Sequence, residues 1–75
     1  MKYILILHLL SFATMPPTIE QSHISPIEYK SYFECISDGY IKSYNKILET
    51  GQKEVDKNLY AIEFMCQAKG DVIWK

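Results

Sequence analysis

The sequence predicts a mainly α fold: an N-terminal signal helix followed by a two-helix hairpin stapled by one disulfide. The alternative is a small α+β unit, a long helix with a strand packed on it. Three observations point to the first arrangement. The chain opens on a short apolar run behind one lysine. Apolar residues then recur at three- and four-residue steps for some twenty positions, up to Gly51. Two cysteines, Cys35 and Cys66, lie at nearly equal distances on either side of that glycine.

The first element is "MKYILILHLLSFATMPP". Lys2 supplies a charge, Tyr3 to Leu10 are apolar apart from His8, and Ser11-Phe12-Ala13 is a small-x-small site. This is the three-part pattern of a secretory signal peptide, with cleavage between Ala13 and Thr14. The run is too short for a bilayer-spanning helix, which needs about 20 apolar residues, and Pro16-Pro17 ends it. The competing readings are a buried N-terminal helix or strand and an uncleaved anchor. The domain organisation that follows is a signal peptide over 1–13, an extended leader over 14–24 and a small stapled domain over 25–75.

In that domain "SPIE" reads as a helix start. Ser25 is the N-cap, Pro26 the first helical residue and Glu28 the reciprocal partner of a capping box. The stripe runs through Tyr29, Tyr32, Phe33, Ile36, Tyr40, Tyr44, Ile47 and Leu48, which predicts a helix from about Pro26 to Thr50. Asp38 and Lys42 pair along its outside. Gly39 interrupts the composition but not the phase. The helix is expected to continue through it, and the missing side chain to let another element approach beside Cys35.

Residues 52–69 read two ways. As a helix, Val55, Leu59, Ile62 and Cys66 form a stripe and Gly70 is a cap. As a strand, Tyr60, Ile62, Phe64 and Cys66 alternate with Leu59, Ala61, Glu63 and Met65, but the only visible partner strand is the weak "DVIW" near the end. An antiparallel hairpin turning at Gly51 places both cysteines about 23 Å from the turn, at 1.5 Å per residue. That coincidence favours the hairpin, although a strand covers a similar distance.

Export makes two cysteines in a small domain a structural disulfide, Cys35–Cys66. There is no C-x-x-C, and the part after Ala13 offers only His23 beside the cysteines, too few ligands for zinc. No metal or cofactor is expected. His23, with Glu20 three residues before it, reads as solvated rather than catalytic. Glu34, Asp38, Glu54, Asp56 and Glu63 interleave with lysines as solvated faces, and no phosphate loop or nucleophile triad is assembled. The formal net charge is −1 and arginine is absent, which disfavours nucleic acid as a partner. The aromatics read mainly as core, with Tyr60, Phe64 and Trp74 as candidate interface residues.

The signal-like start, "YFECISDGY", a glycine, then "V" and "IEFMC" together resemble small exported proteins encoded by marine bacteriophages and marine metagenomes. The matching positions are Cys35, Gly39, Tyr40, Gly51, Val55, Ile62, Phe64 and Cys66. The resemblance covers most of the chain and implies phage origin and export, without a mechanism. Some such proteins carry a further cysteine near the mature N-terminus, which this chain lacks. The F-x-C spacing shared with them suits a strand. The expected function is that of an exported, non-enzymatic protein of the periplasm or cell exterior that binds an envelope partner. The alternative is a membrane peptide anchored by residues 1–17.

Overall fold

The computed structural model describes residues 2–69. Five elements follow in order: β1 (Lys2–Ser11), β2 (Thr18–Tyr29), α1 (Tyr32–Thr50), α2 (Gln52–Asn58) and β3 (Tyr60–Lys69). The strands form one antiparallel sheet in the order β2-β1-β3, and α1 packs on one face of it, mainly against β3 and β1. The architecture is therefore a small α+β fold, which overturns the mainly α expectation in three places.

The first correction concerns the N-terminus. Residues 2–11 are not a signal helix but the central strand, hydrogen-bonded on both sides. Side chains alternate across a strand, so Tyr3, Leu5, Leu7 and Leu9 turn under α1 while Ile4, Ile6, His8 and Leu10 take the other face. Leu5 is fully buried and Leu7 and Leu9 are nearly so. A short apolar run of this length is as good a sheltered strand as it is a signal core. The leader, too, is ordered from Thr18 onward as β2.

The second correction moves the start of the long helix from Pro26 to Tyr32. Ser31 is the N-cap, and the Glu34 backbone N–H donates to its Oγ at 3.1 Å. "SYFE" is thus the box that caps, and "SPIE" lies inside β2. The register of β2 against β1 shifts between Ile4 and Ile6, which leaves Ser25-Pro26-Ile27 as a bulge opposite Leu5. Proline has no N–H to give a ladder, and an edge-strand bulge is where it is tolerated.

The third correction replaces the second long helix. Only Gln52–Asn58 is helical; Leu59 then adopts a left-handed conformation (φ 52°, ψ 53°) and the chain enters β3. The strand wins because it has a partner: β1 pairs with it over its whole length, from Lys2 opposite Lys69 to Ser11 opposite Tyr60. Gly70, "DVIW" and Trp74 lie outside the described residues.

Other expectations hold. The long helix ends at Thr50, before Gly51, whose φ of 91° suits glycine. It runs unbroken through Gly39, which is buried against the ring of Phe64. The disulfide Cys35–Cys66 is formed, with Cα atoms 6.1 Å apart. It ties the start of α1 to β3 above Leu5, in a core completed by Leu7 and Tyr29 with Tyr3, Ile62 and Phe64 packed alongside.

Candidate functional site

The phase of α1 decides what the molecule shows to its surroundings. Its sheet-facing side is built from small residues: Cys35 and Gly39 are buried and Ser43 is half-buried one turn later. Small residues at four-residue steps let the helix axis come close to the sheet. Most of the larger apolar residues are turned outward, while Ile36 and Ile47 are half-buried. Phe33 is 79% exposed, Tyr40 68%, Tyr44 65%, Leu48 59% and Ile41 57%. At 3.6 residues per turn these five share about a third of the helix circumference. Isolated exposed hydrophobics are ordinary; a continuous stripe of them marks an interaction surface.

A second feature lies on the opposite flank of α1. The helix leans on β3 and β1 and meets β2 chiefly near its start, where the Tyr29 hydroxyl donates to Asp38 Oδ2. Burial, followed by that hydrogen bond, raises the Tyr29 pKa above the ordinary tyrosine value. Asp38 Oδ2 also lies 3.5 Å from Lys42 Nζ, one turn along. Beyond this contact β2 and α1 diverge. They leave a groove of about 620 Å³ with Leu7, Leu9 and Ile62 among its lining residues. Gln21 and His23 line it from β2, and Lys42, Asn45, Lys46 and Glu49 from α1.

The residues singled out from sequence are dispersed over this frame. Cys35 and Cys66 are joined at the core, Cys35 fully buried and Cys66 partly so. Tyr60 and Phe64 share the helix-facing side of β3, both half-buried. The Phe64 ring meets Tyr40 edge-on at 5.0 Å and covers Gly39, so it is committed to packing. Ala13 and Thr14 are exposed in the β1–β2 connection, where the Ala13 N–H donates to Ser11 Oγ at 3.3 Å. Glu20 accepts from Thr18 Oγ1 at 2.9 Å rather than engaging His23, which is exposed at the groove.

One grouping was not visible in the sequence. Ser22, His8 and Glu63 lie side by side across β2, β1 and β3 on the face away from α1. His8 Nδ1 is 2.8 Å from Ser22 Oγ. Catalysis by such a trio needs a carboxylate hydrogen-bonded to the imidazole to orient it, and among the described residues His8 has its bond to serine alone. Only the strand register reveals the row, because its members are spread from residue 8 to residue 63. The described residues also hold no cluster of three potential metal ligands.

Comparison with known proteins adds no relative: no protein-family model, curated protein or solved structure matches the chain.

Proposed function

We propose that this chain is a small exported binding protein, not an enzyme, that engages a protein of the cell envelope or periplasm through the outer face of α1. The observation that carries this reading is the exposed stripe of Phe33, Tyr40, Ile41, Tyr44 and Leu48 on a helix held rigid by a disulfide. Aromatic anchors on a preorganised helix bind at low entropic cost, since little is left to order on association. The disulfide supports an oxidising compartment. A phage origin rests on the resemblance alone.

The sheet bears on how export would be achieved. Cleavage after Ala13 followed by loss of residues 1–13 would remove β1, which among the described residues is the only strand that pairs with β2 and β3. The cut chain could not keep this fold, so the reading we favour retains residues 2–11 in the folded protein. A membrane-anchored peptide would need those residues outside the sheet. No helix among the described residues is long and apolar enough to cross a membrane.

The test has two arms. Intact mass of the non-reduced protein from the periplasmic fraction should show β1 retained and two hydrogens missing. A photo-crosslinking residue at Tyr44 should then give a discrete envelope-protein adduct, abolished by Phe33→Ser with Leu48→Ser, while the same probe at Lys53 on α2 gives none. Equal adducts from both positions, or a reduced chain recovered from the cytoplasm, would overturn the proposal.

A further inference from the structure

We propose that the groove between β2 and α1 is a binding site for a free aliphatic carboxylate, an organic monoanion with an apolar tail. This goes beyond the protein-binding reading and uses a different flank of the helix. The cavity volume of about 620 Å³ lies within the range of small-ligand sites, about 300–1,000 Å³.

The lining divides by chemistry. Leu7 and Leu9 come from the central strand and Ile62 from β3, all on the helix-facing side of the sheet. They give the groove an apolar floor, and apolar area of this kind is what an alkyl tail removes from water. The rim supplies donors: the ammonium groups of Lys42 and Lys46, the amides of Asn45 and Gln21, and the His23 ring.

Charge selects the head group. Two lysines face one carboxylate on this rim, Glu49. Lys46 Nζ lies 4.0 Å from Glu49 Oε1, at the outer limit of an ion pair, and is about 40% exposed. Such a pair is weakly held and its ammonium is available to a second acceptor. Lys42 shares Asp38 with the Tyr29 hydroxyl, which also closes the N-terminal end of the gap. Lysines and amides supply point-charge and single-donor contacts, which a compact anionic head group such as a carboxylate can satisfy. A neutral tail alone would satisfy the floor and leave the donors unused.

The experiment uses the full oxidised chain with decanoate as probe. Decanol and decyltrimethylammonium are the neutral and cationic comparisons, all below their aggregation limits. Isothermal titration should show saturable decanoate binding at least about tenfold tighter than decanol, with no binding of the cation. Amide shifts in ¹⁵N-resolved spectra should concentrate at Leu7, Leu9, Ile62 and Lys46. Lys42→Gln with Lys46→Gln should weaken decanoate about tenfold and change decanol by less than about threefold. Lys42→Gln also takes a partner from Asp38, so Lys46→Gln alone is the second variant; it should weaken decanoate by about threefold with the thermal midpoint unchanged. Absence of binding, decanol binding as tightly as decanoate, insensitivity to both variants, or shifts confined to Ile6, Ile24 and Met65 on the opposite sheet face would each overturn the proposal.

Discussion

Gly39→Ala separates two physical effects that have opposite signs. In an exposed helix the change is favourable by about 1 kcal/mol, because alanine restricts the unfolded chain and propagates helix better. Here the new Cβ would stand 2.8 Å from Phe64 Cζ, 2.5 Å from Cδ1 and closer still to Cε1. Carbon atoms pack at about 3.5–4.0 Å, so the ring must move. It cannot do so freely, because Cys66 two residues on is tied to Cys35 one turn before the glycine. Forcing a methyl into such a contact costs about 1–3 kcal/mol, and loss of the edge-on contact with Tyr40 adds about 1 kcal/mol. The net is about 2 kcal/mol of destabilisation, which for a domain of this size lowers the thermal midpoint by about 8–16 °C. Thermal and urea unfolding monitored by circular dichroism, with the disulfide intact, give the value. Phe64→Leu in the same background should absorb the methyl, so that the double variant is more stable than the sum of the singles by about 1 kcal/mol or more. A Gly39→Ala protein that melts higher than wild type would show that helix propensity dominates and that the ring contact carries no weight.

Reduction of Cys35–Cys66, or replacement of both by alanine, should cost about 3.7 kcal/mol from the 31-residue separation in the chain-entropy account; urea midpoints with and without reductant measure it. Leu59 holds a left-handed backbone with its side chain half exposed, so Leu59→Gly should raise stability by about 1 kcal/mol, read as a rise in the thermal midpoint. Tyr29 has its pKa raised by burial and by Asp38. The neutral phenol is therefore favoured by the fold: its contribution is complete below the ordinary tyrosine pKa of 10.0 and is lost as pH climbs through the higher folded value. Urea midpoints of wild type should accordingly fall in that alkaline window, and Tyr29→Phe should remove that part of the slope.

What the sequence made legible is tied to single residues with one physical meaning. Gly51 ends the helix, Gly39 admits a neighbour, Cys35 and Cys66 bond, and the alternation of Tyr60, Ile62, Phe64 and Cys66 is the one that β3 uses. The readings that failed share a different cause. β1 is apolar at both odd and even positions, so it carries no period to distinguish a central strand from a signal core. With that segment set aside, β3 is left only the weak "DVIW" as a partner and its alternation loses its weight. The stripe that hydropathy marks runs through the large apolar residues, whereas the side that meets the sheet is Cys35, Gly39 and the half-buried Ser43. Hydrophobicity does not detect a seam of small residues. Two S-x-x-E boxes stand six residues apart, and only the bulge at Pro26 decides between them.

The groove and the staple are consequences of one arrangement. Three strands at about 4.8 Å spacing make a sheet roughly 14 Å across, and a helix with its side chains is about 10 Å wide. One helix therefore cannot cover all three strands. Which strand is left open depends on where the helix is pinned. Cys66 lies on β3, an edge strand, and Phe64 on the same strand seats Gly39. Both contacts draw α1 toward β3, and the uncovered space must open above β2, at the far edge. A single hydroxyl contact from Tyr29 holds the near end of that space closed. The same pinning turns Phe33, Tyr40 and Tyr44 away from the sheet, since the helix face that meets it is fixed by Cys35 and Gly39. The disulfide thus sets both surfaces, the outer stripe and the groove, as well as the stability of the domain. Moving it to β2 would close the groove and rotate the stripe.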